Sequence, residues 1–484
     1  MFKNNIINNK DKIINSICDL ITYPSISAKT SDPMLPFGKD CYDALKYFLD
    51  LAKSLGFKTK NVDGYCGWAE FGEGKDLIGI IGHLDVVPAK ADDWKYTPFT
   101  PTIDKNRIYG RGAIDDKGPV IASLFAMKTV FDYYKENNLT FNKRVRLIVG
   151  LNEEDSWECI NYYKKHEEIP SIGFSPDADF PCIYAEKGVL SILISDFLPE
   201  YKKSSFNLNL INNVNTSSLV QIENIDCENN AINVVPKYCS INLKISKSLI
   251  IQDIINFLKE KIDNYNYDID IYKIDDFNLK LTSYGIASHS AHPENGINAI
   301  TRLLVILNDL YAKLNINFSF LSTFCKYIGD NYNGTNLSIN YKDESGSLTL
   351  NTSQIYIKDN KLNIAINLRI PVNTKIDNII SIFENTFGKK NINVLSKLEP
   401  LYINKDSNLV KTLTSIFNET CNTNFEPLAI GGATYARAFN NVVSFGMNFP
   451  KDKDICHQAD EFIDIDKLLL STNIYAKAIY KLLN

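Results

Sequence analysis

Apolar positions along the first third of the chain fall into two alternating textures. Residues 5 to 20 and 40 to 55 carry apolar side chains at helical spacing, the second as Tyr42, Leu45, Phe48, Leu49 and Leu51. Gly56 follows as the kind of glycine that stops a helix just past its end. Leu77 to Ile81 is a short unbroken apolar run and predicts a buried strand. Gly118 to Phe131 predicts a helix entered through Pro119, Arg144 to Val149 a strand, and Ile172 to Phe174 a short strand. Helices and strands alternate, and the strands run out into polar motifs. That is the pattern of an α/β sheet with ligands gathered at the carboxyl ends of its strands.

The texture changes near residue 187. Residues 189 to 245 show short β-like stretches broken by Asn and Ser, and 249 to 262 read as helix. Phe277 to Ser288 reads as extended chain leading into His289. Gly296 to Leu314 predicts a helix, Lys361 to Ile370 a strand, and Ile376 to Phe387 a helix. Helices and strands then alternate again, with Leu409 to Thr420 as helix and Val442 to Phe445 as strand. The expected organisation is α/β: a catalytic domain with a central mixed sheet, formed by 1–186 and 380–484, and an α+β lid domain, 187–379, inserted between its halves. No internal repeat is evident.

Composition narrows the function classes. The chain has 484 residues, 45% hydrophobic and 23% charged, as in an ordinary water-soluble globular protein. A net charge of -5 gives no electrostatic footprint for nucleic acid or for an anionic membrane. No apolar run is long enough to cross a bilayer, and the N-terminus lacks the apolar core of a signal peptide. The ten cysteines are scattered, with no C-x-x-C, so the expectation is a reduced, cytoplasmic protein.

The candidate chemistry sits where the strands end. His83 and Asp85 close the run Gly-Ile-Ile-Gly-His-Leu-Asp-Val-Val-Pro88. A neutral imidazole binds zinc well, and a carboxylate two residues on can orient it or ligate as well; the plain alternative is a surface loop. Tyr109-Gly-Arg-Gly-Ala-Ile-Asp-Asp-Lys-Gly-Pro119 holds two adjacent acids, Asp115 and Asp116, whose mutual repulsion calls for a cation or strong hydrogen bonding. It could instead be a polar turn before a helix. Glu153 and Glu154 follow a strand and divide naturally into a metal ligand and a general base, or else form an acidic helix start. Asp177 and Asp179 lie in Ser-Pro-Asp-Ala-Asp-Phe-Pro181, which offers a further ligand or only a turn. His457 lies far off in Cys-His-Gln-Ala-Asp-Glu461. His289 and His292 belong to the inserted domain, and His166 sits in a charged run that reads as a solvated helix face.

These motifs, in this order and over essentially the whole chain, resemble those of the bacterial PepV-like and Sapep-like dipeptidases of the M20 metallopeptidase family, related to Xaa-His dipeptidases and carnosinases. Gly-Gly-Ala-Thr-Tyr-Ala-Arg437 adds a glycine-rich segment typical of that branch. The resemblance implies two divalent metal ions per chain, zinc by default, with manganese or cobalt as metals the same donors suit. It implies His83 and Asp177 on one metal, Glu154 and His457 on the other, and Asp115 bridging them, with Asp116 in a strained, often cis linkage. Asp85 would orient His83, and Glu153 would be the general base. His289 would polarise the scissile carbonyl. Asn233 and Arg369 would bind substrate, as would Thr434 and Arg437 near its terminal carboxylate.

The function so implied is a dipeptidase that hydrolyses dipeptides with a free C-terminal carboxylate through a metal-activated water. The alternative is an N-acyl-amino-acid deacylase or desuccinylase on the same centre. The expected partner is the dipeptide alone, without nucleic acid or membrane, in a monomer or homodimer. The chain departs from the branch in two places. Cys227-Glu-Asn-Asn-Ala-Ile lacks the glycine usual upstream of Asn233, and residues 315 to 350 offer no segment tied to a site.

Overall fold

Four strands dominated by apolar residues lie parallel at the centre of the first unit. Asp76–His83 pairs with Lys143–Gly150 on one side and with Ile172–Ser175 on the other, and Val442–Ser444 pairs with Ile172–Ser175. All four therefore end on the same side, and the polar segments that follow them emerge together. The computed structural model of the protein describes residues 2–199, 219–227, 231–453 and 455–484. Antiparallel strands Cys66–Gly72 and Lys58–Val62 extend the sheet at one edge. Ile183–Glu186, Leu401–Tyr402 and Leu428–Ile430 complete nine strands at the other. Helix Lys117–Glu136 packs against the central strands and against the C-terminal helix Ile465–Leu483. Burial of Leu77, Ile78, Ile80 and Ile81, and of Val120, Ile121, Leu124 and Phe125, anchors this layer.

The second unit spans Lys187–Pro400, and the first comprises Met1–Glu186 and Leu401–Asn484. The second carries two four-stranded antiparallel sheets. One is built from Thr349–Lys358, Lys361–Ile370, Gly188–Phe197 and Ile392–Leu398; the other from Val220–Cys227, Tyr238–Ile245, Asn278–Tyr284 and Ile269–Lys273. Helices Ile251–Tyr265, Ala299–Lys313, Ser319–Tyr327 and Ile376–Phe387 bury Leu258, Leu303, Leu307, Phe324 and Phe383 in a core shared with Leu190, Ile366 and Leu368.

Two expectations change. The chain returns to the first unit at 401 rather than at 380. Strand Ile392–Leu398 pairs with Gly188–Phe197, and Phe383 of the preceding helix joins the core of the inserted unit. The cysteines are also not all reduced. Cys227 and Cys239 face each other as register partners on adjacent antiparallel strands, with Cα atoms 4.3 Å apart, and form a disulfide; the other eight are free. Residues 228–230, just upstream of the Asn233 motif, lie outside the described residues, as do 200–218 of the β-like stretch. No helix of the described residues is long and apolar enough to cross a membrane.

Candidate metal centre

His83 is the last residue of its strand and is fully buried. Its Nδ1 lies 3.0 Å from the carbonyl oxygen of Asp85 and 3.5 Å from the Asp85 carboxylate, which turns Nε2 outward. Nε2 meets Asp115 Oδ1 at 3.1 Å and Asp177 Oδ2 at 3.5 Å. The other oxygen of Asp115 lies 3.0 Å from His457 Nε2, and that nitrogen is 3.1 Å from Glu154 Oε1. One carboxylate thus spans two imidazoles, and each imidazole has a second carboxylate beside it. Asp85 also accepts from the Glu154 backbone N–H at 3.0 Å, joining the loops after two neighbouring strands.

Asp115 and Asp116 are joined by a cis peptide bond. Asp116 turns away from the cluster and accepts from the backbone N–H of His83 at 3.1 Å. This contact needs Gly82, because a Cβ there would run into the Asp116 carboxylate and lie 2.7 Å from Val120 Cγ2. Glu153 brings a carboxylate oxygen into a group with His83 and Asp177 in which all ligand atoms lie within 4.8 Å of one another. His83, Asp115 and Glu154 form a second such group.

The electrostatics of the protein atoms alone are those of too many acids in one place. Burial pushes Glu153 and Asp116 well above the ordinary carboxylate range, and Asp177 up as well. Burial and Asp115 raise Glu154 to about 7. Burial works against charge on the two imidazoles, but the surrounding carboxylates outweigh it. His83 is held well above its usual value, and His457 is pushed up to about 11. His83 Nε2 is buried, makes no well-directed hydrogen bond and faces two carboxylate oxygens. Nitrogen and carboxylate donors in this arrangement suit divalent zinc, manganese or cobalt, whose charge would replace the protons that otherwise offset the acids.

The Gly431–Arg437 segment is held from below. Glu186 is fully buried, and its Oε1 accepts from Thr434 Oγ1 at 2.8 Å and from Ser444 Oγ at 3.0 Å. Its Oε2 accepts from the Thr434 N–H at 3.1 Å and from Arg437 Nε at 3.0 Å. The side chains of Thr434 and Arg437, expected at the substrate carboxylate, are therefore engaged within the first unit. Between them, Tyr435 is buried edge-on to the His83 ring, with its hydroxyl 2.8 Å from Cys159 Sγ. Gly150 makes room for it, since a Cβ there would lie 2.7 Å from the Tyr435 ring.

In the inserted unit, Asn233 and His289 come together. Val234 and His289 form an antiparallel bridge, and Asn233 Nδ2 lies 3.5 Å from His289 Nε2. Asn351 supports the pair by donating to the carbonyl of Val234 and to Ser290 Oγ, each at 2.9 Å. Arg369 is buried near the end of its strand, opposite Thr349, whose hydroxyl donates to the Ser290 carbonyl at 2.8 Å. His292 is exposed beside Glu294, and His166 stacks on Tyr162 at the surface. Asp179 pairs with Asn448 on a two-residue strand. Sequence reasoning passed over Glu186, Arg111 and Glu461. The last two lie inside motifs already quoted, and the available signal was a charged residue within each that no metal needs.

A mixed sheet whose parallel strands converge on clustered acids and imidazoles, with a second unit inserted in the chain, defines an α/β metallohydrolase type. The sequence matches the model of Peptidase family M20/M25/M40 over residues 79–481, and the chain belongs to that family. It is thereby a hydrolase of the class that acts on peptide bonds. It is 35% identical over 486 residues to a Bacillus subtilis (strain 168) protein named Putative dipeptidase YtjP, covering 99% of this chain and 98% of that one. A Staphylococcus epidermidis protein of similar name is 33% identical over 501 residues, covering 100% and 99%. Among solved structures, human carnosine dipeptidase 1 shares the fold at a TM-score of 0.57 and 14% identity, covering 100% of this chain and 98% of that one. The di-peptidase Dug1p from Saccharomyces cerevisiae does so at 0.55 and 14%, covering 99% and 98%.

Proposed function

We propose that this protein is a two-metal dipeptidase that hydrolyses dipeptides bearing a free C-terminal carboxylate. The observation that carries the reading is the double reach of Asp115, one oxygen toward His83, which Asp177 also faces, the other toward His457, which Glu154 also faces. Those five residues would hold the two metals, zinc by default and manganese or cobalt as the metals the same donors suit. Bound there, a divalent ion supplies Lewis-acid polarisation of a carbonyl and lowers the pKa of water.

The remaining roles fall to the protein. Asp85 keeps the His83 ring oriented. Glu153 takes the proton from the attacking water and returns it to the leaving amine, a task for a carboxyl group with a raised pKa. His289 donates to the oxyanion of the tetrahedral species. Asn233 and Arg369 read the substrate backbone and its carboxylate, since the guanidinium fork can bind both oxygens. Dipeptidase names on full-length relatives at 33 to 35% identity support the substrate class.

The test is metal analysis of protein purified without chelator, followed by kinetics on a dipeptide, its C-terminal amide, the matching tripeptide and an N-acyl amino acid after metal add-back. Two metals per chain and preference for the free dipeptide are expected. Losing one buried charge-assisted contact costs about 2 to 5 kcal/mol, so the amide should fall at least about 30-fold. Faster cleavage of the N-acyl amino acid would move the reading to a deacylase.

A further inference from the structure

Two of the sequence motifs carry a buried charge that none of the roles above uses. Arg111 lies in Gly-Arg-Gly112, four residues before Asp115, and Glu461 closes the His457 motif. Their side chains are 4% and 0% exposed and form an ion pair at 2.6 Å. We propose that the Arg111–Glu461 pair is the positioning element that sets the spacing between Asp115 and His457, and so the metal affinity of the centre; the inference rests on the metal-centre reading above.

The geometry is specific. Glu461 Oε1 accepts the backbone N–H groups of Ile114 at 2.9 Å and Asp115 at 3.2 Å. Its Oε2 takes Arg111 Nη1, and Arg111 Nη2 donates to the carbonyl oxygen of His457 at 3.3 Å. One ion pair therefore grips the main chain of both residues, which lie far apart in sequence. His457 has φ +64, in the left-handed region that few non-glycine residues occupy. The surrounding structure agrees. Strand Phe462–Asp464 pairs with Arg107–Tyr109, and Gly110 N–H donates to the Glu461 carbonyl at 3.0 Å. Asp460 receives the backbone N–H groups of Lys95 and Tyr96, and Trp94 lies 5.0 Å from the Arg111 guanidinium.

A carboxylate is needed at 461 because it must accept three donors at once, two from backbone and one from a cation. Glutamine in its place keeps the size but loses the charge that Arg111 faces, and turns one acceptor into a donor. A guanidinium is needed at 111 because two separate nitrogens serve two separate acceptors. Lysine could keep the charge but could not hold that fixed fork.

The experiment measures Zn²⁺ affinity of the full-length apoprotein by competition with a chromophoric chelator, beside thermal unfolding, for wild type, Glu461→Gln and Glu70→Gln. Glu70 forms another buried pair with Arg146, at 2.6 Å, on sheet strands without touching any proposed ligand, so it controls for loss of a buried ion pair as such. Loss of a residue that orients ligands typically weakens metal binding about 10- to 100-fold. Glu461→Gln should show that loss, with turnover recovering as zinc is raised, while Glu70→Gln binds zinc like wild type whatever its melting temperature.

Unchanged affinity in Glu461→Gln overturns the inference, and so does an equal loss in both variants, which would make the pair a general stabiliser. If Glu461→Gln does not fold, Arg111→Lys is read the same way: weaker zinc binding supports the inference, wild-type binding overturns it. A wild-type protein that binds no zinc, manganese or cobalt would instead remove the metal centre, and this inference with it.

Discussion

Glu153 and Glu154 adjoin in sequence and both come near His83, yet Glu153 groups with Asp177, and Glu154 with Asp115 and His457. Substitution separates their roles. Glu153→Gln should keep both metals and lose about 10² to 10⁴ in kcat, the usual weight of a general acid–base group. Metal content that collapses, or activity within about tenfold of wild type, would exchange or abolish the assignment. The same crowding of charge predicts a pH dependence. Without metal, His457 holds its proton up to about 11 and Glu154 up to about 7, so both are largely protonated at the acid side of neutrality. A cation can bind these atoms only as the protons leave. Metal affinity should therefore rise with pH through the neutral range, with protons released on binding. Calorimetry in two buffers of different ionisation enthalpy counts those protons, and a count of zero would exclude the imidazoles and Glu154 as ligands.

At the scale of elements, the loops that carry the cluster are fixed by how closely strand and helix approach. Gly82 lets the start of helix Lys117–Glu136 reach the end of the His83 strand, so that Asp116 accepts the His83 N–H. Gly82→Ala should push that helix start away, at about 1 to 3 kcal/mol, and weaken metal binding as well. Urea unfolding of the apoprotein with a parallel zinc titration checks both; an alanine variant of wild-type stability and affinity would show that the approach is slack. Much at this scale was legible in the sequence. Lys361–Ile370 and Ile376–Phe387 match the expected spans, and Gly56, at φ +94, stands just past helix Lys39–Ser54. Periodicity reports such local features well because they depend on nearby residues. Strand order was not legible, because the pairing of Val442–Ser444 with Ile172–Ser175 joins segments far apart in sequence. The hold of Glu186 on Thr434 and Arg437 was hidden for the same reason, although the arginine itself had been singled out.

For the whole molecule, the expected return at 380 was wrong because a change of texture marks where secondary structure changes, not which core receives it. Helix Ile376–Phe387 looks like the helices of the first unit and packs in the other. The true crossing points make a strong test possible. The chain leaves the first unit after Glu186 and re-enters it at Leu401, and these two residues are register partners on adjacent antiparallel strands. Joining them by a two-residue Asn-Gly turn in place of 187–400 would close an ordinary β-hairpin without stretching the sheet. All five proposed metal ligands, with Asp85, Glu153 and the Arg111–Glu461 pair, stay in what remains. The shortened protein should fold and bind zinc with near wild-type affinity. Dipeptide turnover should fall by at least about 10² to 10³, the usual weight of one oxyanion donor, because Asn233, His289 and Arg369 are gone. Circular dichroism, zinc titration and kinetics on the same preparation decide the matter. A folded hairpin variant that has lost zinc would mean that residues 187–400 complete the centre itself. One that still cleaves dipeptides within about tenfold of wild type would take His289 and Arg369 out of the reaction.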